Sequence, residues 1–352
     1  MKTINTNSIV ALVAMLALFT NTANAQPRNH PPIAAVVDAF DNVPVDMLHS
    51  EIDLGEFPNH GALDIGEHYQ GIIEHKGVLY LSSSFKEQGR IAVVANIDYS
   101  WHAVDAIHVP EYWHLGGMDI SGDYLAVAAH DDYIGAVLIY NVKDPLQPTL
   151  VYAQQFRNKV GAVGMTLGAN GRMQLAVTGG PNATIDFYES GLQRFGDPEF
   201  KFQYLGTASH LLNPLQSLAF ITQNDGELYL IGMANSNTFI DSGLPFRNDF
   251  MALMRVDNWE VNHFNWGAES TRREYYLSLL RYKKMKTAVN PEDFNVQRQP
   301  NFAGGGGVAV TQGGQLEVWA AAHGGDMVQH DPTVLISTTS GQGLFNWGAP
   351  ED

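Results

Sequence analysis

Five times along the chain, a strand of small apolar residues enters a turn bearing Gly or Asp and returns as a second apolar strand. The second strands recur at intervals of 44, 50 and 55 residues, measured from Leu81 through Leu125 and Leu175 to Leu230. Cysteine is absent from all 352 residues, so the core must close by packing alone. Together these observations predict an all-β fold, a β-propeller of five blades.

The elements follow in order. Residues 1–25 read as a cleaved signal peptide: Lys2 is its positive start, Ile9 to Phe19 its apolar run, and Ala23-Asn24-Ala25 its small-residue cleavage site. That run is too short for a membrane-spanning helix, and no later stretch reaches the roughly 20 apolar residues a span needs. Residues 26–352 read as one domain. Val45 to Leu54 is a spare strand, expected to complete the last blade and close the ring, which removes exposed sheet edges. The first unit covers Glu67 to Val109, the second Glu111 to Phe156 and the third Asn158 to Thr207. The fourth begins near Leu212, with strands to Val256, and the fifth covers Asn301 to Thr339.

The opening strands are Gly71-Ile-Ile, Gly117-Met-Asp-Ile, Gly164-Met-Thr-Leu, Ser217-Leu-Ala-Phe and Gly307-Val-Ala-Val. Small residues suit the strand nearest a propeller axis, where backbones crowd together. The turns after them, at Lys76-Gly77, Ser121-Gly122-Asp123, Asn170-Gly171, Asn224-Asp225-Gly226 and Gly313-Gly314, are hairpin signals. The interval from Leu230 to Leu316 is 86 residues, which breaks the period. Six blades is the alternative count. A helical insertion near 268–286 is preferred, because Thr271-x-x-Glu274 forms a capping box and Tyr276, Leu279 and Leu280 recur at helical spacing. Six of the chain's 20 Lys and Arg residues lie between Arg272 and Lys286. They offer a docking face for an acidic partner, or else simply a solvated surface.

The segment Ala136-Val-Leu-Ile-Tyr-Asn-Val-Lys-Asp-Pro-Leu-Gln-Pro-Thr-Leu-Val resembles the LVIVD-type repeat of secreted bacterial β-propellers, in which a hydrophobic strand ends in an Asp-Pro-x-x-Pro turn. The match spans one blade. Ile185-Asp-Phe-Tyr-Glu-Ser keeps the strand and lacks the proline turn. The resemblance implies a propeller and an exported location, periplasmic or extracellular, and implies no activity.

The formal net charge is −17, and −18 once Lys2 is removed with the leader. Such a surface disfavours nucleic acid and anionic lipid. Absent cysteine excludes thiolate catalysis and cysteine-bound metal centres. Ala303-Gly-Gly-Gly-Gly307 precedes a strand and lacks the Gly-Lys-Ser/Thr of a phosphate loop. Neither a Gly-x-Ser-x-Gly elbow nor a His-Glu-x-x-His pair occurs.

In a propeller, the loops leading into the first strands and those joining second to third strands open on one face. That geometry selects His68, His114 and His210 from the first group, and His130, Asp131, Asp132, His323, Asp326 and His330 from the second, as a ligand-binding rim. His68 stands three residues before Gly71 and His114 three before Gly117, and with Asp131 they form the expected set for a divalent metal ion. The competing reading makes the histidines strand caps and the Asp131-Asp132 pair a turn. Two functions follow. One is a binding or scaffolding module for a protein or small-molecule ligand on the axial face. The alternative is a metal-dependent hydrolase acting on an ester, lactone or phosphate. A glycosidase would need two or three carboxylates at inner-strand ends, and Asp119 alone sits on such a strand.

Overall fold

The structure, a computed structural model, describes residues 33–340 apart from 54–55, 58–60, 63–67, 86–87, 180–183, 210–214, 237–238, 241–243, 246–247, 266–267, 289–298, 312 and 324–332. The expected leader, His210, Asp326 and His330 lie outside the described residues.

The chain is all-β apart from one short helix, α1 (Val36–Asn42). After β1 (Leu48–Asp53) come the two-residue strands β2 (Glu56–Phe57) and β3 (Gly61–Ala62), then an up-and-down run of β4 (His68–His75), β5 (Val78–Phe85), β6 (Gln88–Ile97) and β7 (Ser100–Val109). The next sheet holds β8 (His114–Ser121), β9 (Tyr124–His130), β10 (Gly135–Asn141) and β11 (Thr149–Phe156). The third holds β12 (Val160–Leu167), β13 (Met173–Gly179), β14 (Thr184–Ser190) and β15 (Phe202–Ser209). The fourth contains β16 (Ser217–Thr222) and β17 (Leu228–Ser236). A two-residue ribbon of β18 (Phe239–Ile240) and β19 (Leu244–Pro245) follows, before β20 (Asn248–Asn265) and β21 (Ala268–Met285) complete that sheet. Last come β22 (Pro300–Val310), β23 (Leu316–Ala322) and β24 (Thr333–Thr338).

β1 pairs antiparallel with β24 along its length, from Leu48↔Thr338 to Asp53↔Thr333. This set of four strands and β4–β7 join into a closed eight-stranded arrangement. The joins are slight: the parallel pair Gly306↔Gly71 on one side, and Ile52↔Trp101 with Asp53↔His102 on the other.

The sheets stand around a common centre. β4 packs against β8, β8 against β12, β12 against β16, β16 against β22, and β22 returns to β4. The buried core divides the same way, into layers between neighbouring sheets. On β10, Leu138 and Tyr140 point to Ile91 and Val93 of the preceding sheet, while Val137 and Ile139 point to Val163 and Leu175 of the next. The period-2 pattern of a strand thus serves two interfaces at once, and each fully buried Leu or Ile contributes about 1.5–3 kcal/mol. Trp319, Leu81 and Ile52 fill the layer where the chain ends meet. The arrangement is propeller-like.

Close approach explains the small residues of the first strands. A Cβ on Gly117 would lie 2.5 Å from the Gln216 carbonyl oxygen, and one on Gly116 would collide with the Gly161 backbone. The hairpin glycines are also conformational: Gly77, Gly122, Gly171, Gly226 and Gly314 all have positive φ, the region only glycine enters without strain.

The expected helix near 268–286 is instead strand β21, paired with β20 from Asp249↔Met285 to Asn265↔Ala268. Thr271 and Glu274, the supposed capping box, are ladder residues opposite Asn262 and Trp259. Of the three residues at helical spacing, Tyr276 and Leu279 are exposed, and a β-bulge turns Leu280 inward. Leu279 pairs with Met254 and Arg281 with Leu253, which leaves Leu280 as the extra residue. Tyr275 and Leu277 face one apolar layer, and beyond the bulge Leu280 faces another. One inserted residue thus converts a two-residue period into a step of three.

The basic residues of β21, with Lys286 just after it, hold the chain's own N-terminal segment. Arg281 pairs with Asp41 at 3.1 Å and Lys286 with Asp46 at 2.7 Å. Lys283 donates to the carbonyl oxygens of Phe40, Asp41 and Val43, where α1 ends. Cations suit a helix C-terminus, and these bonds seat α1 so that Val36 and Phe40 reach the core. Among the described residues, no helix is long and apolar enough to cross a membrane.

Candidate functional site

Strand direction brings four histidines from distant sequence positions to one end of the axis. His68 opens β4, His114 opens β8, His130 ends β9 and His323 follows β23. First strands start at this end, while second strands run antiparallel and finish here. His114 and His130 are direct partners in the β8–β9 ladder. The His323 carbonyl accepts the Tyr69 N–H at 2.8 Å, which ties the last sheet to β4.

The rings form one continuous array. His323 stacks on His68 at 4.4 Å between centroids, and His68 meets His114 edge-on at 5.3 Å. His114 stacks on His130 at 4.3 Å, and Trp113 meets both in T-shaped contacts, at 5.3 and 6.0 Å. The Ser84 hydroxyl lies 3.1 Å from Nδ1 of His114. His130 Nδ1 lies 2.9 Å from the Asp131 carbonyl oxygen. A carbonyl only accepts, so that nitrogen carries the proton and Nε2 keeps its lone pair.

His68, His114 and His130 are held neutral near pH 7. Burial, with the neighbouring His323 ring second, pushes His68 down to about 4. Burial also pushes His114 down to about 3, reinforced by His130, His68 and the ammonium of Lys159. His130 is lowered by burial against the opposing pull of its bond to the Asp131 carbonyl. Groups of such low basicity are poor proton acceptors in catalysis, yet they present lone pairs and ring faces to a ligand.

The carboxylates of the expected rim behave differently. Asp131 accepts the N–H groups of Tyr133 and Ile134 on one oxygen, both at 2.6 Å, and these bonds hold its carboxyl below the usual range. Asp132 is exposed and lies 3.9 Å from Lys159. Of the metal set His68, His114 and Asp131, two members are in ring contact and the third caps its own loop. Among the described residues, no group of three or more His, Asp or Glu side chains is arranged to hold a metal ion. Ser84 was not foreseen: its place beside His114 depends on the β4–β5 register, His68↔Ser84, which no sequence spacing signals.

No family model matches the chain, and no curated protein matches it. Among solved structures it is similar to a mannose phosphorylase from Leishmania mexicana in complex with phosphate ion, at 10% identity over 86% of this chain and 91% of that one, with a TM-score of 0.46. An exo-β-1,3-galactanase from Clostridium thermocellum matches at 9% identity over 82% of this chain and 61% of that one, with a TM-score of 0.43. A Trypanosoma rangeli sialidase in complex with sialic acid matches at 8% identity over 84% and 59% of the two chains, with a TM-score of 0.38.

Proposed function

We propose that this chain is an exported five-bladed β-propeller of LVIVD-like repeat character that acts as a binding module, with its ligand on the axial face carrying His68, His114, His130 and His323. The blade count is supported by the closed circuit of first strands and by the core layers between sheets. The observation that carries the function is the four-ring imidazole array flanked by Trp113. Assembling partly buried polar rings at one point forfeits hydration that a ligand's donors can restore. Low basicity favours binding over proton transfer, and the commitment of Asp131 to its loop weighs against a metal-dependent hydrolase.

The test combines elemental analysis of protein purified without chelator with a hydrolysis screen of ester, lactone and phosphate substrates. A protein free of stoichiometric metal, inactive in the screen and still folded as the His68→Ala/His114→Ala variant, is the expected result. About one metal per chain, lost in that variant along with hydrolysis, would replace the binding reading by the hydrolase.

A further inference from the structure

The inner strands end, away from the imidazoles, at a cavity of about 300 Å³. On β8, Asp119 lines this cavity five residues beyond His114, which at about 3.3 Å per residue separates the two places by about 17 Å. Its volume falls in the range of small-molecule sites. The N-terminal segment contributes a wall through Ile33. The Asn224 N–H bonds the Ile33 carbonyl at 3.2 Å, and the Val36 N–H bonds Gln223 Oε1 at 2.9 Å.

The lining has a definite polarity. Ile120, Leu167, Phe220 and Val308 give it apolar walls. The hydroxyls of Thr166 and Thr222 lie 2.9 Å apart, so one hydrogen serves their mutual bond and the other remains to donate. Both carboxylates in the lining are already matched. Asp119 accepts the N–H groups of Ile120, Met165 and Phe220, and Asp123 pairs with Lys76 at 2.7 Å. Two cations, Lys143 and Arg194, line it as well, and the Lys143 ammonium has no ion pair among the described residues. With both acids matched, the Lys143 ammonium at the exposed rim is the charge in this lining left to meet a ligand.

We propose that this cavity is a second binding site, for a small organic carboxylate. The carboxylate meets Lys143, the remaining threonine hydroxyl hydrogen is donated to it, and its compact apolar body packs on Ile120 and Phe220. A neutral sugar would leave the ammonium unmatched and set hydroxyls against the apolar walls.

Thermal unfolding of the purified chain with hexanoate and benzoate, and with hexanamide and benzamide as uncharged matches, tests this. The acids raise Tm with saturable concentration dependence and the amides do not. Lys143→Ala weakens the fitted Kd about tenfold, the worth of one charge-assisted hydrogen bond. Thr222→Leu, which fills the cavity, abolishes the shift, and Lys201→Ala on an exposed loop leaves it unchanged. No shift from either acid, equal shifts from the amides, an unaltered Kd in Lys143→Ala, or a saturable shift from glucose or galactose instead would each overturn the proposal.

Discussion

Replacing Asp119 by alanine tests the account of how the inner strands are held. Its carboxylate is fully buried, and one oxygen accepts the N–H of Met165 on β12 at 2.8 Å and that of Phe220 on β16 at 2.9 Å. The other oxygen accepts the N–H of Ile120 at 2.9 Å. One side chain on β8 thereby links three strands around the axis. Burial drives its carboxyl well above the ordinary value, with the three N–H donors opposing. In Asp119→Ala the two donors from other strands lose this acceptor, and each buried unsatisfied N–H costs about 1–3 kcal/mol. Removing a buried carboxyl offsets about 1–2 kcal/mol of that sum. The net loss is about 3 kcal/mol. Asp119→Asn keeps one acceptor oxygen and turns a donor toward a second N–H, so it falls between the two. Urea unfolding followed by tryptophan fluorescence reads the change in midpoint at constant m-value. A loss under about 1 kcal/mol for Asp119→Ala, or an alanine variant more stable than the asparagine one, would refute the hub.

Three further outcomes follow from particular contacts. Burial pushes His68 down to about 4 and His114 down to about 3 in the folded chain, below the 6.5 of a free imidazole. The unfolded chain therefore takes up protons first, and stability present above pH 6.5 is lost as pH falls toward those values. Discounted by about half for residual solvent contact, the pair should cost about 2 kcal/mol between about pH 7 and about pH 5. A His68→Gln/His114→Gln variant should show a correspondingly smaller fall in Tm, and an equal fall would falsify the assignment. Gly117→Ala places a Cβ 2.5 Å from the Gln216 carbonyl oxygen and 3.0 Å from Ser217 Cα, so overpacking should cost about 1–3 kcal/mol in urea. Lys283→Met removes the donor to three carbonyls at the end of α1. Hydrogen exchange across residues 36–47 should then quicken while the inner strands stay protected, and uniform quickening would argue against a local role.

Much of the fold was legible from local rules. The turn at Ser121-Gly122-Asp123 was readable because a tight hairpin needs positive φ, and Gly122 has it. The smallness of Gly71 and Gly117 was readable because a Cβ there meets backbone of another sheet near the axis. The strand from Ala136 to Tyr140 was readable from its unbroken apolar run, and both of its faces are buried. β21 was misread because a bulge at Leu280 depends on pairing with β20, and pairing is not a property of either strand alone. The basic cluster read as a solvated surface or a docking face, because Asp41 and Asp46, which neutralise two of its members, lie some 240 positions away.

The candidate site divides along the same line. Strand direction made His68, His114, His130 and His323 members of one end of the axis. The stacking of rings, the neutrality of His68, His114 and His130 and the place of Ser84 came from register and burial, which act between sheets. The cavity beside Asp119 had no sequence signature, because the ends of four inner strands and Ile33 form it only when the circuit closes. By itself the sequence determined what each short segment does: turn, extend, alternate or stay small, because these follow from backbone sterics and hydrophobic period over a few residues. The tertiary structure alone decided which charges meet, which imidazoles lose their protons and where space remains, because those depend on distances between strands far apart in the chain.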